Sequence, residues 1–241
     1  MGLYEQAVDE SASHVIASLP TLDMEGPKLS PDGSWFVFVG WPPHSTPETV
    51  AQLYRVPSGG GVPEPISPAP GLLGNIWCTN QSANFCAYVS RAARDSPELI
   101  VTAFDPLRGT GGELLRIPID PKGYYFHSVS PDGSQVAIAS TDSNAVQIRL
   151  FSLHGLGTRL ISLEDYTGLN SLRWAADGRS LFLGAFRGAS NQLLRVDLNG
   201  EVHSLWKQPF DTISGIASPD GRRLAIQGLS GQANVWMIEN F

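Results

Sequence analysis

Positive charge is scarce in this chain and never clustered. Its 16 Lys and Arg are outnumbered by 23 Asp and Glu, for a formal net charge of −7. Nucleic-acid binding relies on grouped cations that meet phosphates, so no nucleic-acid partner is expected for this domain. Long apolar runs are missing too. A spanning helix needs about 20 consecutive apolar residues, and the longest apolar stretches here are strand-sized, so no membrane partner is expected. The opening Met1-Gly-Leu-Tyr-Glu-Gln-Ala-Val-Asp-Glu10 has neither a basic start nor an apolar core and does not read as a signal peptide. The expected placement is cytoplasmic, unless the chain was cut from a longer protein.

Catalytic signatures are equally sparse. Nucleophilic hydrolysis would call for Gly-x-Ser-x-Gly with a distant Asp and His, and that pentapeptide does not occur. His-Glu-x-x-His, Cys-x-x-Cys, phosphate loops and dinucleotide fingerprints are absent. Histidines 14, 44, 127, 154 and 203 are dispersed, and Asp142-Ser-Asn144 is too short for a calcium loop. No metal, cofactor or catalytic residue is therefore expected. There are only two cysteines, Cys78 and Cys86. On paired strands they could face each other, but a disulfide needs an oxidising compartment, and two buried thiols are the favoured expectation.

Glycine and proline, by contrast, are plentiful, at 25 and 18 residues, and 42% of the chain is hydrophobic. That composition suits a globular domain with many tight turns. One phrase recurs: Leu29-Ser-Pro-Asp-Gly33, Val129-Ser-Pro-Asp-Gly133, Trp174-Ala-Ala-Asp-Gly178 and Ala217-Ser-Pro-Asp-Gly221. The aspartates at 132, 177 and 220 are 45 and 43 residues apart, whereas 32 and 132 are separated by 100. The long interval leaves room for a degenerate copy at Asn80-Gln-Ser-Ala-Asn84, giving five repeats. A period of roughly 40–50 residues built from short strands predicts a β-propeller.

Each turn is followed by a strand that is apolar at every position, such as Phe36-Val-Phe38 or Leu181-Phe-Leu183, and is expected to be buried on both faces. A third strand, a Gly-rich turn and a fourth strand complete each unit. The prediction is one all-β domain over 1–241, with four-stranded antiparallel blades near 24–67, 72–119, 124–163 and 168–206. A last blade spans 211–238 and is completed by the N-terminal strand 13–18. One feature does not fit this closure: Leu3-Tyr-Glu-Gln-Ala-Val8 also reads as a third strand, making six third strands against five of the others.

The Ser-Pro-Asp-Gly phrase invites a calcium-site reading, but a turn explains it better. Pro presets φ, Asp bonds nearby amides and Gly accepts positive φ. The motif with its following strand resembles the WD40-like PD repeat found in TolB-type propellers, in propellers of prolyl-oligopeptidase-like peptidases and in bacterial multidomain proteins. The ending Asn234-Val-Trp-Met-Ile-Glu-Asn-Phe241 resembles the C-termini of bacterial propellers joined to a winged-helix regulator or a kinase. The resemblance implies a propeller with its turns at one end and variable loops at the other. The loop residues of hot-spot type are Trp41, Arg91, Arg94, Tyr124, Tyr125, Tyr166 and Arg187. The expected function is a non-catalytic module of a larger bacterial sensory or regulatory protein, binding a protein or peptide. The alternative is an enzyme-associated propeller, either the gate of an oligopeptidase or a small hydrolase or lyase with an axial site. TolB-like periplasmic assembly would need an export signal.

Overall fold

Every regular element described in the computed structural model is a β-strand. The structure describes all residues except 8, 47–48, 81, 110, 143–144, 156, 209–211, 231 and 240–241. Most of the calcium-loop candidate Asp142-Ser-Asn144, residue 81 of the degenerate turn and the last two residues of the ending 234–241 therefore fall outside the described residues. No helix among the described residues is long and apolar enough to cross a membrane. The chain divides into two compact units, Met1–Lys122 and Gly123–Phe241. Each consists of antiparallel sheets whose strands pair in chain order.

The first unit begins with a hairpin of β1 (Gly2–Glu5) and β2 (His14–Ser18). Two four-stranded sheets follow: β3 (Asp23–Leu29), β4 (Trp35–Trp41), β5 (Ala51–Pro57) and β6 (Glu64–Ala69), then β7 (Leu72–Cys78), β8 (Cys86–Ser90), β9 (Glu98–Phe104) and β10 (Gly111–Pro118). The second unit has two more: β11 (Phe126–Val129), β12 (Gln135–Asp142), β13 (Ala145–Ser152) and β14 (Thr158–Leu163), then β15 (Gly168–Trp174), β16 (Ser180–Arg187), β17 (Ser190–Asp197) and β18 (Val202–Gln208). It ends with a three-stranded sheet of β19 (Thr212–Ala217), β20 (Arg223–Ser230) and β21 (Gln232–Glu239).

Among the described residues there are thus four four-stranded blades, followed by a three-stranded sheet where a fourth strand was expected to complete a fifth blade. The strand expected to complete it, His14–Ser18, pairs instead with Gly2–Glu5, with Leu3 opposite Ala17 and Tyr4 opposite Val15. Burial accounts for this pairing. Leu3, Ile16, Ala17 and Leu19 are buried and pack against Phe38 and Val56 of the first blade. The surplus third strand of the sequence is therefore β1, and its neighbour is the N-terminal fourth strand.

In the four complete blades the second strand carries a run of at least four buried residues, whereas β20 of the last sheet alternates, with Gln227 and Leu229 exposed against the expectation of burial on both faces. Val37, Phe38 and Val39 have no exposed surface, and Cys86–Ser90 are all buried. Third strands alternate, as in Ala145–Ser152, and fourth strands such as Thr158–Leu163 are largely exposed. The cores lie between neighbouring sheets. Ile148, Leu163, Trp174, Leu183 and Val196 join the third and fourth blades, and Phe182, Leu193, Ile213, Leu224 and Ile226 join the fourth to the last.

Polar groups on the innermost strands hold neighbouring sheets together. Trp174 donates from its backbone N–H to Ser128 Oγ at 3.1 Å and from its indole N–H to the Ser128 carbonyl at 3.0 Å. Ser171 Oγ donates to the Ile213 carbonyl at 2.7 Å, and Ile213 N–H donates to Asn170 Oδ1 at 3.2 Å. In the first unit Arg55 lies 4.5 Å over the Trp35 ring, pairs with Glu64 at 3.0 Å and donates to the Pro106 and Leu107 carbonyls of the next blade.

The repeated phrase is a structural turn. Ser30 N–H donates to the Trp35 carbonyl, and Trp35 N–H returns a bond to Ser30 Oγ at 3.0 Å. Asp32 accepts from Ser30 Oγ at 2.6 Å, Ser34 N–H at 3.1 Å and Ser34 Oγ at 2.6 Å, while Gly33 sits at φ 75°. Ser130–Asp132–Ser134 and Ser218–Asp220 repeat the network. Ala175 keeps the backbone pair but has no hydroxyl to add.

Two outcomes test this account. Phe182 is 1% exposed, so Phe182→Ala is expected to cost about 3–5 kcal/mol in denaturant unfolding. The bonds from Ser30 and then Ser34 hold the Asp32 carboxyl at about 2, below its ordinary 3.8. A depressed folded-state value stabilises the fold above the ordinary carboxylate range, and this contribution is lost as pH falls toward about 2. Carboxyl NMR titration should show that midpoint, and Asp32→Asn should flatten the acid limb of the stability profile.

Candidate functional site at the loop end of the blades

Opposite the turns, each blade presents its second-to-third-strand loop beside a connector between blades. In the first unit Arg91, just beyond β8, donates its N–H to the Gly71 carbonyl at 2.9 Å. Its guanidinium donates to the Arg94 carbonyl at 3.2 Å and to the Pro121 carbonyl at 3.1 Å. One side chain thus ties its own loop to the connector that follows its blade. Gly71 makes this approach possible: it sits at φ 65°, and a Cβ there would lie 1.8 Å from the Arg91 carbonyl oxygen.

In the second unit Thr167 N–H donates to the Phe186 carbonyl at 2.9 Å, bringing connector and loop together. Arg187 pairs with Asp165 at 3.0 Å, with both side chains more than half exposed. Tyr166 lies beneath them. Burial lifts its phenol above the ordinary value, with Arg187 opposing and Asp165 reinforcing that shift.

The structure sorts the seven expected residues by role. Tyr124, 78% exposed, meets Phe126 edge-on with ring centroids 5.2 Å apart. Arg94 and Arg187 are also exposed. Trp41 is half-buried against the core shared by the first two blades, and Tyr125 is half-buried with its phenol over Gly123. Arg91 is a positioning residue, because its guanidinium braces backbone carbonyls. Tyr166 is placed in the core at 6% exposure, so its expected surface role is corrected to packing. Sequence reasoning missed Gly71, whose only signal was its place just after a fourth strand. It also missed Asp165, which was in view in a connector but carried no mark of its ion pair.

The turn end has one polar cluster of note. Asp197, Glu201 and His203 bring ligand-type atoms within 4.8 Å of one another. Arg195 lies 3.4 Å from Asp197, and His203 is 3.6 Å from Asp197 and 3.5 Å from Glu201. Arg195 and His203 share the two oxygens of Asp197, and the cluster reads as a surface polar network on the β17–β18 hairpin.

The cysteines correct a further expectation. Cys78 and Cys86 form a disulfide between directly paired residues of β7 and β8, with Cα atoms 4.0 Å apart. Two strands in register bring the side chains of such a pair together, which the residue spacing alone did not decide.

Successive antiparallel four-stranded meanders, packed face to face within each unit and joined by loops at one end, are blades of a β-propeller. Solved structures agree: the chain is similar to a TolB-type protein from Agrobacterium tumefaciens, with TM-score 0.71 and 16% identity over 95% of this chain and 81% of that one. It is also similar to a propeller in a nidogen/laminin complex, with TM-score 0.61 and 10% identity over 95% and 85% of the two chains. An oligogalacturonate lyase in complex with manganese gives 0.60 and 10% over 99% and 81%. No family model matches the chain, and no curated protein matches it. These likenesses establish the fold, and a fold shared by such different proteins leaves function to the site.

Replacing Gly71 tests the loop geometry. Gly71→Ala meets both positive φ and overlap with a backbone oxygen, so a loss of about 2–3 kcal/mol is expected in equilibrium unfolding.

Proposed function

We propose that this chain is a non-catalytic β-propeller module that binds a protein or peptide through the loop ends of its blades. The observation that carries this reading is the division of labour between polar groups. Ser128, Asn170 and Ser171 on the innermost strands are engaged in holding neighbouring sheets together. Tyr124, Arg94 and Arg187 at the loop end project from the surface, and aromatic and arginine side chains are the types that dominate binding hot spots. The likeness to a propeller solved in a nidogen/laminin complex supports protein recognition by this fold. Membership in a larger bacterial sensory or regulatory protein is part of the same proposal.

The enzyme-associated alternative draws on the likeness to the lyase and on His127, which is buried on innermost strand β11. It calls for His, Asp and Glu converging on the inner strands. In the second unit β11, β15 and β19 carry His127 and Arg173 but no carboxylate, and in the first unit Asp23 and Glu25 of β3 are exposed. The binding reading is therefore preferred. The disulfide favours an oxidising compartment over the cytoplasmic expectation.

Selection of a displayed random-peptide library against the full chain tests the proposal. Enriched peptides should lose about tenfold or more in affinity to Tyr124→Ala or to Arg187→Ala, and should be indifferent to Asp197→Asn at the turn end. Binding that ignores the loop-end variants, or that is abolished by Asp197→Asn alone, would overturn it.

A further inference from the structure

The disulfide occupies a position with counterparts in every other blade. Cys78 pairs with Cys86 where Leu29 pairs with Phe36, Val129 with Val136, Trp174 with Leu181 and Ala217 with Leu224. These residues form the last rung of the innermost hairpin before its turn. Only the second blade has sulfur there, and it is also the blade whose turn has lost the aspartate. Thr79 takes the place of Ser30, exchanging bonds with Phe85, and Asn80 accepts from Ser82. The rest of this hairpin is weakly tied. Leu72 pairs with Ser90, the register then shifts, and pairing resumes only at Ile76 with Tyr88.

The two cysteines differ in burial. Cys86 has no exposed surface and lies in the core with Val39, Ile76 and Phe104, whereas Cys78 is only partly buried at its margin. We propose that this bond is a thiol–disulfide exchange site, opened from the Cys78 side by a dithiol of another protein. The incoming thiolate attacks Cys78 Sγ from its accessible side, opposite Cys86. A new S–S bond forms to Cys78, the Cys78–Cys86 bond breaks, and its electron pair leaves on Cys86 Sγ, which takes a proton. The second thiol of the partner then attacks the mixed disulfide and releases Cys78 as a thiolate. The partner supplies both electrons and ends as a disulfide. Opening removes the covalent rung from the hairpin whose turn lacks the aspartate, so reduction loosens Leu72–Arg91 while the first, third and last blades keep their Ser–Asp turns.

Reduced glutathione is the probe, because each exchange with a monothiol passes through a mixed disulfide that brief treatment and rapid acid quenching trap before a second glutathione reduces it. The oxidised full chain is treated with excess glutathione, quenched in acid, alkylated and mapped by tandem mass spectrometry. Glutathione should be found on Cys78 with the alkyl group on Cys86, in preference of about tenfold or more, since access decides which sulfur is attacked. Adduct on Cys86, adducts shared equally, or an intact bond where an exposed model disulfide has exchanged would each overturn the proposal. Hydrogen exchange after full reduction gives a second reading. Uptake should rise across 72–91 and stay unchanged in β12 and β13, and unchanged uptake in 72–91 would show that the bond does not control the hairpin. Cys78→Ser/Cys86→Ser should reproduce the reduced pattern without reductant.

Discussion

The four complete blades depend on a second strand whose central residues are buried on both faces. That run of residues has no solvent face onto which an error can be turned. A slip of one residue would exchange its two apolar faces and misplace every partner packed against them. The hairpin that leads into it must therefore close in a single register. In three blades the Ser-x-Asp-Gly turn secures that register, with a serine hydroxyl bonding across the mouth of the hairpin and a carboxylate gathering the amides of the bend. The motif recurs because the constraint recurs.

The second blade shows what happens when the motif decays. Its turn is one residue longer, from Thr79 to Phe85 where Ser30 to Trp35 suffices, and Asn84 rather than glycine takes the positive φ. The threonine hydroxyl preserves the bond across the mouth, but the carboxylate is gone. A covalent bond stands one rung further in. The same register is secured by different chemistry, and only the covalent version responds to redox conditions.

The two ends of the blades consequently serve different purposes. At the turn end, side chains are engaged by the backbone they organise. At the loop end, a small set of bonds between loops and connectors, such as Arg91 to Pro121 and Thr167 to Phe186, holds the backbone and leaves other side chains to face outward. Arg91 and Arg187 illustrate how similar residues diverge. Both follow a second strand by one position or end it, yet one braces carbonyls while the other pairs with an exposed carboxylate. Residue type suggested a binding role for both, and the environment separated them.

How much was legible beforehand follows from the range of the forces involved. Repeats, turns and the apolar second strands are local patterns, written within a few residues of each other, and the sequence alone determined them; it also pointed to a surplus strand near the N-terminus, which the structure places at Gly2–Glu5 instead of Leu3–Val8. It likewise placed Arg91, Arg94, Tyr124, Tyr125 and Tyr166 in loops, whereas Trp41 and Arg187 turned out to end β4 and β16. Which strands and side chains actually meet was decided only by the tertiary structure: His14–Ser18 beside Gly2–Glu5, Cys78 joined to Cys86, and Tyr166 in the core instead of on the surface. Each of these depends on which apolar face finds cover and which backbone groups find partners. That competition is settled among all segments of the folded unit at once, and no single stretch of sequence contains its result.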